Sequence, residues 1–391
     1  MSTSQFTLPP ATAPAPRPRR RWPVVLVVTL VVVAALVIAS SLISVPYYSL
    51  VPGDALPVSQ LITVPAAQHH TVKGQVLLTD VGVNSLKLIG LIPAHLDHDA
   101  TVVPTQQLTG SVPVSEFNAE GTVDMEESQL TAQAVALREL GYPVPERDAG
   151  VTVYVIGPGT PAWRVLHVGD VITSIDGTPT TNPSQLQSVI RSHHPGEVVT
   201  LRVGTIMQPD SGHAITVRLG STVEDHKTVA LLGIGDPAAP DVPSMGTQPA
   251  YDFPFKVSIN SDNIGGPSAG LAFTLGIINT LSNGRLTGGR TIAATGTIHP
   301  DGTVGDVGGV KQKTVAVERA GATAFFVPVQ ELSTARAMAT PGLKVFAVRS
   351  VDQALGDLQR LGGDVGRAVT GPPAGPGGHS VPTDWEDSPW T

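Results

Sequence analysis

Two short stretches carry the residue types that nucleophilic catalysis needs. The first runs Asn260-Ser261-Asp262-Asn263-Ile264-Gly265-Gly266-Pro267-Ser268-Ala269-Gly270. Here a strand-like segment, Phe255 to Ile259, enters a Gly- and Pro-rich turn, and an apolar helix begins near Ser268 and continues toward Leu281. A serine at such a junction sets its hydroxyl beside first-turn backbone N–H groups that have no intrahelical acceptor and can stabilise a developing oxyanion. Taken alone, the same pattern describes an ordinary helix cap, because Ser is a favoured N-cap residue. The second stretch supplies a base. A strand-like run, Thr291 to Ile298, and a turn, His299 to Gly302, lead through Thr303-Val304-Gly305-Asp306-Val307-Gly308-Gly309-Val310-Lys311-Gln312-Lys313 into a helix expected over Thr314 to Ala320. Lys311 stands where that helix opens. An unfavourable helix dipole and burial among Gly and Val both favour its neutral form, and a neutral amine can take the proton from a hydroxyl that is otherwise too weak a nucleophile.

Other polar residues carry less. Lys313 follows Lys311 by two positions, which on a helix points it elsewhere, so it reads as solvent-exposed. Asp262 reads as closing a local Asx-turn. The eleven histidines are dispersed, with His69-His70 and His193-His194 in expected loops and no helical His-x-x-x-His pair. Neither a metal nor a cofactor is expected.

With both stretches in hand, the sequence resembles the Lon protease catalytic domain, in particular the PDZ-containing, membrane-anchored Lon-like serine proteases of bacteria. Gly266 to Gly270 match the family's Gly-Pro-Ser-Ala-Gly motif. Gly308 to Lys313 match its Gly-Gly-hydrophobic-Lys-x-Lys motif, with the first lysine, Lys311, in the catalytic place. Leu286-Thr-Gly-Gly-Arg290 and Thr295-Gly-Thr-Ile298 follow in the family's order, and the resemblance covers about residues 228–361. It implies peptide-bond hydrolysis by a Ser268–Lys311 dyad, with N–H groups around Ser268 and Ala269 as the oxyanion hole. Thr295 is implied to orient the lysine, its alternative being a β-branched strand residue with a satisfied hydroxyl. It further implies an α/β domain with a mixed sheet and the Ser268 and Lys311 helices on one side of it. The phosphate-cradling Gly-x-x-x-x-Gly-Lys-Ser/Thr motif of the ATP-dependent members is absent, so the expected enzyme is an ATP-independent serine endopeptidase acting on unfolded or membrane-proximal polypeptides.

The elements that must position this chemistry begin with Gly150 to about Gly220. Val151 to Ile156 is strand-like, Gly157 to Ala162 turns, and Asp170 to Ile175 is a strand ending in the Asp176-Gly177 turn. A helix over Pro183–Ser192, capped by Asn182, precedes a strand from Val198 to Val203. This order resembles a PDZ domain of the protease-associated type, which implies peptide docking by strand addition. The glycine-containing carboxylate loop of that family is not evident before Val151, where Glu146, Arg147, Asp148 and Ala149 stand. Docking and gating therefore both stay open, and Asp170 and Asp176 read as turn residues. Upstream, 45–125 reads as a β-rich membrane-proximal region, and a helix spans Glu126 to Leu140, with Gly141 where a C-cap is favoured.

Val24 to Ile43 carries no charge and as a helix would extend about 30 Å, the thickness of bilayer hydrocarbon. Arg17, Arg19, Arg20 and Arg21 precede it and no Lys or Arg follows until Lys73, which predicts a cytoplasmic N-terminus and extracytoplasmic C-terminal domains in the cell membrane. A cleaved signal peptide is the competing reading. The 391 residues contain 24 Lys+Arg against 32 Asp+Glu and no cysteine, which argues against a nucleic-acid partner and excludes disulfides and a thiol nucleophile.

The expected architecture is thus multidomain. A disordered tail, 1–23, precedes a transmembrane helix, 24–43, and the β-rich region, 45–125. A helix plus PDZ-like α+β module, 126–225, then leads to an α/β Lon-like proteolytic domain, 228–361, and a disordered tail, 363–391. Expected partners are polypeptide substrates and the membrane, not nucleic acid or ATP; a homo-oligomer stays open. The rival reading is an anchored peptide-binding scaffold whose Lon-like domain is inactive.

Overall fold

The computed structural model describes residues 22–110, 112–224, 226–235, 243–261 and 264–364. The arginine cluster, most of the two expected tails and Asp262 lie outside the described residues.

The first element is the helix Trp22–Leu42, uncharged, predominantly apolar and without an amphipathic face. Its window Val25–Leu42 has a mean hydropathy of 2.9, with no part buried against the protein. The chain then folds into a six-stranded sheet in the order Lys344–Val348, Ala324–Pro328, Thr291–Ala294, Gln75–Lys87, Ser44–Pro57, Thr101–Pro104. The first four strands are parallel and Ser44–Pro57 is antiparallel to both of its neighbours. The sheet is mixed, but the region expected as a separate membrane-proximal unit is not separate. Three of its strands join the sheet of the unit expected as proteolytic through the pairing Thr291↔Gln75, Ile292↔Val76, Ala293↔Leu77.

Because strand residues alternate between faces, that pairing also fixes where the helices lie. Val76, Ile292, Ala294 and Phe326 face one core, shared with Gly270–Leu281 and Val351–Arg360. Leu77, Ala293, Phe325 and Val327 face another, shared with Val310–Arg319 and Leu332–Met338. The serine-bearing and lysine-bearing helices therefore lie on opposite faces of the sheet, not on one side as the resemblance implied. Every residue of Gly270–Leu281 is buried, as expected for a helix that is apolar all round.

The helix expected over Glu126 to Leu140 is longer, Val114–Glu139, and packs mainly along the serine helix, with the Tyr154 hydroxyl of the PDZ-like unit donating to its Glu127. It ends as its sequence indicates. Gly141 has φ +81, its N–H donates to the Arg138 carbonyl, and the Tyr142 N–H donates to that of Leu137, a Schellman closure. The chain then makes a second sheet in the order Met245–Tyr251, Glu146–Val153, Asp170–Ile175, Val198–Thr205, His213–Arg218, around its own core of Val151, Ile172, Leu186 and Leu201. Asp176 and Gly177 take φ +46 and +79, the left-handed pair that an Asp-Gly hairpin turn requires. Asn182 caps Pro183–Ser192 by accepting from the Gln185 N–H at 3.0 Å. Met245–Tyr251, placed by sequence in the proteolytic unit, is instead the edge strand of this sheet, so the boundary expected near 225–228 falls after Tyr251.

Candidate active site

Ser268 lies in a single 3-10 turn, Pro267–Ala269, that feeds the serine helix. The turn is set from both sides. Gly266 enters it at φ +86, a conformation that side chains other than glycine's disfavour, and donates its N–H to the Gly121 carbonyl at 2.6 Å. Ser128 Oγ donates to the Pro267 carbonyl at 3.1 Å, so the long helix Val114–Glu139 holds the turn at two points. A third hold comes from the neighbouring loop, where Gln129 Nε2 donates to Ser261 Oγ at 2.8 Å. Ser268 itself is half-buried, and the N–H groups of Ser268 and Ala269 fall in the first helical turn, where no intrahelical acceptor exists.

The lysine helix begins earlier than the sequence suggested, at Val310. Gly309 precedes it at φ +70, and a Cβ there would lie 2.5 Å from Val81 Cγ2, so glycine is required on both counts. This start decides which lysine enters the site. Val310, Lys313, Thr314 and Val317 form one buried stripe at i, i+3, i+4 and i+7, and Lys313 is only 3% exposed. Its Nζ donates to Ser268 Oγ at 2.7 Å and to Thr295 Oγ1 at 3.1 Å. Lys311 points elsewhere. Its half-buried Nζ donates to the Ala100 carbonyl at 3.2 Å, tying the loop before Thr101–Pro104 to the lysine helix. The structure therefore places Lys313 beside Ser268 and corrects the expectation on both residues: Lys311 does not face the serine, and Lys313 is not exposed. The sequence held the signal, since Lys313 shares its helical stripe with Val310 and Val317. Taking the first lysine of the motif as the one in the site concealed it.

Thr295 joins the two helices. It immediately follows the parallel strand Thr291–Ala294, at the carboxyl end where α/β sheets place their ligand sites. Its Oγ1 donates to the Ser268 carbonyl at 3.1 Å and accepts from Lys313, and the Gly296 N–H donates to the same carbonyl at 2.9 Å. The two helices thus approach from opposite faces, and their N-termini meet over the end of this strand.

Burial pulls Lys313 down to about 8 from the 10.5 of a solvated lysine, while the carboxylates of Asp80 and Glu331 oppose the shift. Asp80 is itself raised, chiefly by burial, despite accepting the Asp54 N–H at 2.5 Å. Ser268, Lys313 and Asp80 line a cleft of about 1620 Å³, which also takes in Asp124 and residues of the loop Phe253–Ser261. Asp124 is raised to about 6 by burial and by the neighbouring charge of Glu120. A buried amine near neutrality, in contact with a hydroxyl at the end of an open cleft, can exchange a proton with it.

Residues 253–358 match the Lon protease (S16) C-terminal proteolytic domain, and residues 152–203 match the PDZ domain. The region that holds Ser268 and Lys313 is similar to the Lon-type proteolytic domain. It is 28% identical over 163 residues to the Lon protease of Desulfosudis oleivorans, an overlap covering 41% of this chain and 20% of that protein. It is 30% identical over 139 residues to the Lon protease of Desulfovibrio desulfuricans, covering 34% and 15%. The chain thus spans about a fifth or less of the length of these curated relatives. Among solved structures, the PDZ domain of an SdrC-like protein from Listeria monocytogenes aligns at 28% identity over 22% of this chain and 84% of that one, with a TM-score of 0.19. The Lon-type match begins at the cleft loop and ends within the last helix, so the three strands contributed by residues 44–104 lie outside it.

Proposed function

We propose that the protein is a membrane-anchored, ATP-independent serine endopeptidase whose dyad is Ser268 and Lys313. The observation that carries this reading is the 2.7 Å contact between Lys313 Nζ and Ser268 Oγ, made by an amine held near 8 by burial. Neutral Lys313 accepts the Ser268 proton as Oγ attacks the scissile carbonyl carbon. The carbonyl oxygen takes up negative charge against the N–H groups of Ser268 and Ala269. The lysine, now protonated, returns the proton to the leaving amine, and water repeats the sequence on the acyl-enzyme. Thr295 touches both partners and fixes the lysine's direction.

Substrates are polypeptides already unfolded or lying near the membrane. No Gly-x-x-x-x-Gly-Lys-Ser/Thr stretch occurs in these 391 residues, and we take cleavage to be independent of ATP. Trp22–Leu42 is the anchor, and the arginines before it put the N-terminus on the cytoplasmic side and the folded domains outside. The PDZ-like unit presents or excludes polypeptide. Its edge strand, Met245–Tyr251, continues directly into the cleft loop.

The test is cleavage of an unfolded polypeptide such as casein by the purified full chain, with Ser268→Ala as control and a fluorophosphonate adduct located by mass spectrometry. Cleavage lost in Ser268→Ala, with the adduct on Ser268, is the expected result. Cleavage that persists in Ser268→Ala overturns the mechanism. A folded chain that neither cleaves nor takes the label favours the scaffold.

A further inference from the structure

We infer that the helical segment Leu88–Leu96 is a membrane foot, a second apolar contact that rests in the outer interfacial layer of the bilayer crossed by Val25–Leu42. The inference rests on the reading of that helix as a span. Leu88–Gly90 is a 3-10 turn that continues directly into the helix Leu91–Leu96. Its position is fixed at the point where the span ends: the Leu88 N–H donates to the Ile43 carbonyl at 3.0 Å, and Lys87 Nζ donates to Ser44 Oγ at 2.7 Å. The segment therefore starts at the depth where the chain leaves the hydrocarbon.

From there the apolar residues follow a helical stripe. Leu88 with Ile89, then Ile92, then Leu96 stand on successive turns, at 43%, 44%, 73% and 79% exposure. Leu91 and Ala94, between them, are half-buried against the protein. One face thus packs on the fold while the other presents four large aliphatic side chains to its surroundings, a concentration that soluble surfaces seldom leave bare. Exposed Tyr47, on the strand leaving the span, adds an aromatic ring of the kind enriched where hydrocarbon meets headgroups. Continuity with the span decides the occupant. A face that begins at the span's last turn meets lipid before it can meet a soluble partner, and an apolar helical face buries itself at that boundary.

The foot is tied to the dyad through the next few residues. Lys311 Nζ holds the Ala100 carbonyl, Gln312 Nε2 donates to Thr101 Oγ1 at 2.8 Å, and Arg319 pairs with Asp99 at 2.6 Å. All three anchors lie on the helix that carries Lys313, so span, foot and lysine helix form one connected body, and the foot sets the height of the cleft above the bilayer. In this arrangement Lys311 has a positioning role, which accounts for its departure from the dyad.

The absence of cysteine makes the test direct, because a single introduced thiol gives a unique label. The full chain carrying Ile92→Cys, Leu96→Cys, Val33→Cys or Val223→Cys is labelled with an environment-sensitive fluorophore and placed in phosphatidylcholine nanodiscs. These hold spin-labelled lipid quenchers at headgroup or deep acyl positions. Probes at 92 and 96 should be quenched by the shallow lipid at least about threefold more than the probe at 223 in the PDZ-like unit, and the probe at 33 by the deep lipid. Quenching at 92 and 96 equal to that at 223, with 33 still deeply quenched, overturns the foot and leaves the span standing. An unquenched probe at 33 overturns the span, and the foot with it. A signal at 92 and 96 that appears only with two chains per disc assigns the face to a second copy and overturns the lipid assignment.

Discussion

In the proposed mechanism, the contact between Lys313 and Ser268 makes acylation a titration of one buried amine. With Lys313 near 8, about one-tenth of it is neutral at pH 7 and about nine-tenths at pH 9, so the acylation rate should rise about tenfold across that interval and level off above it. Asp80 stabilises the charged form, so Asp80→Asn should move the midpoint to lower pH and raise the rate at pH 7. The same shift acts on stability with a definite sign. An unfolded lysine titrates near 10.5 and the folded one near 8, so the unfolded chain binds more protons between these values and stability rises with pH there. Below the folded value the charged lysine costs about 3 kcal/mol, less what its hydrogen bonds to Ser268 and Thr295 return. Lys313→Met should therefore melt above the parent protein at pH 7, with the difference shrinking toward pH 10. The assay is the single-turnover rate of Ser268 labelling by a fluorophosphonate from pH 6 to 10 at constant ionic strength, with melting curves over the same range. A rate that is flat with pH, or that rises only near 10.5, refutes the reasoning.

Three further outcomes follow from the geometry. Thr295→Val removes a donor to the Ser268 carbonyl and an acceptor from Lys313 while keeping the side chain's shape; one or two such bonds at about 1 kcal/mol each should slow acylation about 5- to 30-fold, measurable by the same labelling kinetics. Gly270→Ala places a Cβ 2.6 Å from Ile298 Cγ2 and 2.9 Å from Ser128 Oγ, where the serine helix meets its long neighbour. Overpacking there should cost about 1–3 kcal/mol, read as a lower denaturation midpoint. Phe273→Ala empties a fully buried position of the serine helix and should cost about 3–5 kcal/mol by the same measurement.

Local signals carried much of this structure in the sequence. The Asp176-Gly177 turn, the Asn182 cap and the Gly141 helix end depend on residues within one or two turns of each other, and each forms as its chemistry requires. The serine turn was legible for the same reason. What escaped was non-local. Nothing within Gln75–Lys87 indicates that it pairs with Thr291–Ala294, more than two hundred positions away, and this pairing merges the strands of residues 44–104 with the sheet that holds Thr291–Ala294. The strand Met245–Tyr251 was misplaced because the strand it pairs with, Glu146–Val153, lies far back in the chain. The lysine was misassigned within its motif: with the first lysine taken as the one in the site, Lys313 reads as pointing away, whereas the helix that begins at Val310 turns Lys313 inward with Thr314 and sends Lys311 to Ala100. A place at the helix N-terminus, where the dipole disfavours a charged amine, proved a weaker guide than the apolar stripe, because it is burial of the amine that removes its water.

The most direct measurement compares Lys311→Ala with Lys313→Ala by the rate at which Ser268 takes a fluorophosphonate label, with folding checked by melting. Loss of Lys313 should lower the rate about 10²- to 10⁴-fold, the range expected when a general base is removed. Loss of Lys311 removes one bond to the Ala100 carbonyl, which should cost about 1 kcal/mol of stability and leave the rate within about threefold of the parent. A folded Lys313→Ala protein that labels at the parental rate, or a Lys311→Ala protein that does not label at all, contradicts the assignment of the dyad.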